Sequence, residues 1–316
     1  MVMFSDLPRY SSSESCMAIT LYPVKADFMA EIGDVDLSCP LSEEDRVAIK
    51  AAFFKYSVLV FPGQELTSAQ HIAFAEVFGP MEQNINTYAD EVKKYRIDTR
   101  IADVSNLGDE NEILAVNSRK RMSGLANRLW HTDSIFRELP ALTSLLYGRS
   151  IAPVGGRTEF ADMRAAYDAL PASTKTKIDK LVVEHSIFHS RAKLGFNDFT
   201  EKERASLPPA KQVLVRTLPE TGRRNLYLAS HAMRVLGMSD QESETLFQEL
   251  IEHATQPQFV LSHRWRVNDL VMWDNRCTVH RGTDFDDWRW KRDVQRATVS
   301  DIGNTVKLVA QEALQR

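Results

Sequence analysis

Leu129-Trp130-His131-Thr132-Asp133-Ser134 is the stretch on which the reading of this chain turns. On an extended segment, residues i and i+2 point to the same face, so His131 and Asp133 can present an imidazole and a carboxylate side by side. A second imidazole is available from His280, in Trp273-Asp274-Asn275-Arg276-Cys277-Thr278-Val279-His280. Two histidines and one carboxylate on adjacent faces of a barrel make the 2-His-1-carboxylate facial triad, which leaves open positions on non-haem Fe(II). The triplet alone is a weak signal. With 8 His and 22 Asp among 316 residues, chance supplies roughly 0.6 such triplets. Two arginines downstream of His280 add the weight. Arg292 and Arg296 are four residues apart, an even spacing that puts both on one face of a strand. A guanidinium donates two parallel charge-assisted hydrogen bonds to a carboxylate, so the pair points to a pocket for anions beside a metal.

Outward from this stretch the chain reads as short strands with scattered helices. Residues 142–147, 213–217, 225–228, 259–265, 270–273 and 296–300 are strand-like runs, and Ser57-Val58-Leu59-Val60-Phe61, stopped by Pro62-Gly63, reads as a buried strand. Helices are expected over 43–55, opened by Ser42 with Asp45; over 68–78, opened by Thr67 with Gln70; and from 240 to about 252, opened by Ser239 with Glu242. The pattern predicts a mainly β fold with surrounding helices, an antiparallel jelly roll. A parallel alternative would need a Gly-rich phosphate turn. Gly155-Gly156-Arg157-Thr158 has neither the Lys of a P-loop nor the third Gly of a dinucleotide site.

Composition excludes several classes. Lys+Arg 39 against Asp+Glu 43 gives −4, which argues against nucleic-acid binding through a basic surface and against a polybasic membrane anchor. No stretch reaches the roughly 18 apolar residues of a membrane helix. Cys16, Cys39 and Cys277 are too sparse and widely spaced for a disulfide framework, which suits a cytoplasmic protein.

Taken together, the motifs resemble those of the Fe(II)/2-oxoglutarate-dependent dioxygenases of the taurine and 2,4-dichlorophenoxyacetate dioxygenase family, with the aryloxyalkanoate branch the nearer. The resemblance rests on Val58-Leu59-Val60-Phe61-Pro62-Gly63-Gln64, Phe78-Gly79-Pro80, Asn127-Arg128-Leu129-Trp130-His131-Thr132-Asp133, the run from Gly155 through Tyr167, Asp269-Leu270-Val271-Met272-Trp273-Asp274-Asn275-Arg276, and Arg292 through Thr298. It implies a double-stranded β-helix (cupin-like), with residues 1–17 a flexible leader and 18–316 a single catalytic domain carrying helical insertions. It further implies that His131, Asp133 and His280 bind Fe(II). Thr158 and Arg292 would hold the far carboxylate of the cosubstrate 2-oxoglutarate, Arg296 would meet the acidic group of the prime substrate, and Asn127 would line the pocket. O2 is the remaining reactant, and succinate and CO2 are released. The partner implied is a small anionic molecule, and self-association is common among such enzymes. Because Asp133 fills the position that halogenating relatives leave small, the resemblance implies hydroxylation or oxidative cleavage rather than halogenation.

Two departures stand out. The loop Met81-Glu82-Gln83-Asn84-Ile85-Asn86-Thr87-Tyr88 lacks the basic residue of phenoxyacetate-degrading relatives, and the segment between His280 and Arg292 is one residue longer than their pattern. Among other histidines, His231 is a candidate for a lid over the pocket, while His71, His185, His189, His253 and His263 read as structural. Cys277 reads as a buried thiol, and Trp288 and Trp290 as either a substrate wall or a turn packed on the barrel. Two rival functions use the same residues. A zinc hydrolase would activate a water on the triad and give Arg292 and Thr158 no shared task; a non-catalytic barrel would bind a small acid without forming succinate.

Overall fold

Residue alternation sets the layers. Val58–Phe61 is buried along its whole length, and its side chains divide by parity. Val58 and Val60 join one apolar cluster, Leu59 and Phe61 another, as the two-residue period of a strand requires. Leu270–Asp274 repeats the division, with Val271 and Trp273 on one side and Leu270 and Met272 on the other. These elements are seen in a computed structural model that describes residues 19–82 and 96–315. The expected leader and loop positions 83–88 lie outside the described residues.

The larger sheet runs in the order Thr20–Pro23, Ala30–Gly33, Val58–Phe61, Leu270–Asp274, Ala141–Ser150, Asp293–Ser300 and Ala102–Asp103. Its neighbours pair antiparallel except Ala30–Gly33 with Val58–Phe61. A smaller antiparallel sheet, Val260–His263, Thr158–Asp162 and Thr278–Gly282, faces it. Phe160 of the smaller sheet packs with Val60, Leu146, Val271 and Trp273 of the larger one. This is the expected jelly-roll architecture, and the inner face between the sheets carries the polar side chains of the candidate site.

Helices cover the outside. Glu43–Tyr56 and Ser68–Glu76 supply Ile49, Phe53 and Phe74 to the cluster on the far side of the larger sheet. Their starts follow the expected capping: Ser42 accepts from the Asp45 N–H, and Thr67 with Gln70 forms a reciprocal box. The second helix stops at Glu76 rather than 78. Its last amides, Val77 to Phe74 and Phe78 to Ala75, tighten into three-residue bonds before Gly79. Asp240–Ala254, boxed by Ser239 and Glu242, lays Leu246 and Leu250 on a third cluster with Tyr167, Val183 and Leu226. None of the described helices is long and apolar enough to cross a membrane.

The run at 213–217 is not one strand. Ala210–Val213 pairs with Val182–His185, whereas Val215–Thr217 pairs with Arg224–Leu226. Leu214 between them donates to Leu181 O and accepts from Tyr227 N, so the chain changes partners there without losing an apolar residue. Phe259 likewise closes a turn, Pro257–Phe259, ahead of Val260–His263.

One buried ion pair ties the smaller sheet to the helical layer. Arg164, 1% exposed, donates to both oxygens of Asp162, at 2.9 and 3.1 Å. Its Nη1 donates to Lys55 O at 3.0 Å, and Nη2, already on Asp162, donates also to Asp27 O at 2.7 Å. Removing one partner of a buried pair leaves an uncompensated charge, which costs about 3–5 kcal/mol. Arg164→Met should therefore lower the unfolding free energy by that amount in a urea titration, and a change below about 1 kcal/mol would show that the clasp is dispensable.

Candidate active site

Two reciprocal backbone bonds create the site. His131 N–H donates to His280 O at 2.9 Å, and His280 N–H donates to His131 O at 2.7 Å. The bridge brings the two imidazoles together, with ring centroids 4.1 Å apart and planes tilted by 46°. The segment around His131 is not the strand the sequence suggests. The bridge is isolated, and the chain turns at once, with Ser134 at φ 55°. Asn275 makes that turn. Its Oδ1 accepts from the Asp133 amide at 3.1 Å and from the Trp273 indole at 2.9 Å, and its main-chain oxygen accepts from the Thr132 hydroxyl at 2.6 Å. Its Nδ2 donates to Ser144 Oγ at 3.0 Å, and Ser144 donates in turn to Asp133 Oδ2 at 2.6 Å. Asp133 Oδ1 accepts from Arg296.

As a result, one ligand-type atom from each of His131, Asp133 and His280 lies within 4.8 Å of the others, all three residues being buried. Among the described residues this is the group of side chains able to hold a metal ion. Electrostatics suit a divalent cation. Burial lowers the pKa of both imidazoles, keeping them neutral. Burial alone would raise the Asp133 carboxyl, but the Arg296 guanidinium and the hydrogen bond from Ser144 counter it, and the group stays below its ordinary range. His131 Nδ1 lies 2.8 Å from Leu129 O. A carbonyl only accepts, so that nitrogen carries the proton and Nε2 keeps its lone pair.

A cavity of about 370 Å³ opens on this group, within the usual range for small-molecule sites of roughly 300–1,000 Å³. Thr158, Arg292, Arg296 and Asn127 all line it. Arg292 and Arg296 do not share one regular strand, however. Arg292 precedes Asp293–Ser300, and the register shifts between Asp293 and Val294, so both reach the cavity through an irregularity that their even spacing did not predict. Arg292 is the notable cation. At the mouth Lys120 pairs with Asp103 at 2.9 Å and Arg121 with Asp287 at 3.1 Å. Arg292 has no acidic partner among the described residues, its Nε is buried without a hydrogen bond, and burial pushes its pKa down to about 10. Beside it the Gly155-Gly156 turn takes φ 76° and 62°, and a Cβ on Gly155 would meet Asp284 O at 2.4 Å, so glycine is needed there.

His231, a candidate lid residue, also lines the cavity, 6.3 Å from His131 between ring centroids, with Nδ1 2.9 Å from Ser190 Oγ. Phe136 and Arg191 line it too. Trp288 and Trp290 do not: Trp288 is half exposed beneath the Arg121 guanidinium. His185 and His189 stay out of the cavity lining, as expected. Cys277 lies 3.2 Å from Ser57 Oγ, its thiol pushed up to about 12 by burial, and belongs to the packing. Sequence reasoning missed Ser144 and Asn275. Ser144 follows the inward parity of Leu146, and Asn275 lies in the motif that leads to His280, but neither carried a signal of its partner.

Residues 20–298 match the family described as taurine catabolism dioxygenase TauD, TfdA family. The chain is 40% identical over 285 residues to the alpha-ketoglutarate-dependent 2,4-dichlorophenoxyacetate dioxygenase of Cupriavidus pinatubonensis, covering 90% of this chain and 99% of the relative. It is 35% identical to the (S)-phenoxypropionate/alpha-ketoglutarate-dioxygenase of Sphingobium herbicidovorans, with 85% and 91% covered. A solved structure, AAD-2 in complex with Mn(II) and N-oxalylglycine, is similar with a TM-score of 0.84 and 44% identity, over 92% of this chain and 99% of that one.

If Asn275 and Ser144 orient Asp133, Asn275→Ala should weaken Mn(II) binding about 10- to 100-fold, measured by calorimetric titration of the metal-free protein. Wild-type affinity in this variant would mean that the turn holds itself.

Proposed function

We propose, starting from the fact that this chain belongs to the taurine catabolism dioxygenase TauD, TfdA family, that His131, Asp133 and His280 hold its Fe(II) and that its prime substrate is a small aryloxyalkanoate. The chain is a 2-oxoglutarate-dependent non-haem iron dioxygenase. The observation that carries the site assignment is the convergence of three buried donors within 4.8 Å on a cavity lined by Arg292, whose Nε is buried without a hydrogen bond and which has no acidic partner among the described residues. Two neutral imidazoles and one anionic carboxylate are the donor set that non-haem Fe(II) takes.

Bound there, the iron with O2 and 2-oxoglutarate supplies the oxidising chemistry and releases succinate and CO2. The protein's part is placement. Thr158 and Arg292 hold the far carboxylate of 2-oxoglutarate, and this anion supplies the counter-charge that Arg292 lacks among the described residues. Arg296 already gives one nitrogen to Asp133. Its Nε is buried without a bond, so the same guanidinium can also meet the acid group of the substrate. Phe136 and Leu114 offer apolar surface to an aryl ring, with Asn127 beside them on the cavity wall. Hydroxylation next to the ether oxygen would give a hemiacetal that breaks down to a phenol and an oxo acid. The relatives named for 2,4-dichlorophenoxyacetate and (S)-phenoxypropionate support this substrate class. The exposed free thiol of Cys39 supports a reducing, cytoplasmic setting.

An anaerobic titration with Fe(II) and 2-oxoglutarate should develop the weak visible charge-transfer band of the chelate. Succinate release should then depend on aryloxyalkanoates in preference to sulfonates. His131→Ala should abolish both signals; a persisting band would remove His131 from the ligand set. Arg292→Ala should raise the Kd for 2-oxoglutarate on the order of 100-fold, the scale for deleting one partner of a buried hydrogen-bonded charge pair, and unchanged affinity would refute its assignment.

A further inference from the structure

Trp265 touches both residues assigned to the far carboxylate of 2-oxoglutarate, although it comes from a different segment. Its indole N–H donates to Thr158 Oγ1 at 3.0 Å, and its ring lies 6.0 Å from the Arg292 guanidinium carbon. The ring is held from several sides. Its own residue is 6% exposed, and His263 packs on it edge-on with centroids 4.9 Å apart. Gly148 lets it lie against the larger sheet: a Cβ there would meet Trp265 Cε3 at 3.1 Å. Trp265 comes just after the strand Val260–His263, whose last residue is in register with Thr158, so the adjoining strand itself brings the indole to the hydroxyl.

Donor and acceptor capacity gives this contact a direction. Indole N–H can only donate, while a threonine hydroxyl has one proton and two lone pairs. With one lone pair taken by Trp265, the Thr158 proton must point elsewhere, and Thr158 lines the same cavity as Arg292. A ligand carboxylate there needs donors. An unconstrained hydroxyl would have to be turned and fixed on binding, whereas one already accepting from a buried indole presents its proton in advance.

We propose that Trp265 is a positioning residue for the cosubstrate: it fixes Thr158 as a donor and backs Arg292, so that the site recognises a 2-oxo acid with a carboxylate at its far end. This rests on the assignment of Thr158 and Arg292 to that carboxylate. The ring supports the Arg292 cation through its face, and the N–H fixes the hydroxyl. Trp265→Phe separates the two, keeping an aromatic face while deleting the donor.

The test is calorimetric titration of 2-oxoglutarate into Mn(II)-loaded protein, comparing wild type, Trp265→Phe, Thr158→Val and the double variant. Trp265→Phe is expected to raise the Kd about five- to tenfold, the scale of one net hydrogen bond. In the Thr158→Val background the same change should cost less than about twofold, since no hydroxyl remains to be oriented. Equal losses in both backgrounds, with Thr158→Val itself weakening binding, would overturn the role of Trp265 and leave the carboxylate site standing. No loss from Thr158→Val would overturn the carboxylate site and this proposal together. A control guards against general loosening of the fold: 2-oxopentanoate, which ends in a methyl group, should bind wild type and Trp265→Phe with the same Kd. A parallel loss for that ligand would assign the indole to packing alone.

Discussion

The site depends on a pair of backbone hydrogen bonds, from His131 to His280 and back. Neither residue could be brought to the other by its own side chain, and both belong to segments with other structural duties. His280 sits in Thr278–Gly282, paired in register with Thr158–Asp162. His131 has no sheet of its own, and the single bridge docks its segment onto that strand. Asp133 then reaches the centre only because Asn275 bends the intervening chain. A one-residue slip of the bridge would carry one imidazole to the opposite face, since side chains alternate along extended backbone. Register is therefore as much a part of this centre as the identity of its ligands.

Buried charge is treated in two different ways within the same molecule. Arg164 and Arg276 are each matched by an adjacent aspartate two residues before them, Asp162 and Asp274, and by further acceptors. They contribute to holding layers together. Arg292 is less deeply placed, but its Nε is buried without a hydrogen bond, and no acid among the described residues faces it. An unpaired interior cation lowers stability unless something compensates it. Its presence here makes sense as a site whose counter-ion arrives from solution, and the apolar surroundings that make it unfavourable when empty also strengthen its hold on an anion.

What could be read from the sequence was mostly local. Ser42, Thr67 and Ser239 cap helices through residues three positions away, so each start was visible within a single turn. The triad residues were visible as residue types in suggestive spacing, and the resemblance gave them roles. Partner changes were invisible. Residues 213–217 form one unbroken β-like run, and the point at which Leu214 passes from one sheet to the other is set by Leu181 and Tyr227, distant in the chain. The same holds for Ser144, Asn275 and Trp265, whose importance lies in whom they meet. Arg292 and Arg296 show a further limit: their even spacing suggested a shared face, yet a register shift intervenes and both still reach the cavity.

The three donors also come from segments that approach one another only through long-range pairing, two beside the bridge and one on the smaller sheet. A chain built this way has no local nucleus around its metal, unlike a finger in which the ion organises a short loop. Closing such distant contacts is entropically costly and makes folding of antiparallel sandwiches slow. An ion held there joins parts of the chain that are distant in sequence, so its binding adds to the stability of the whole folded molecule.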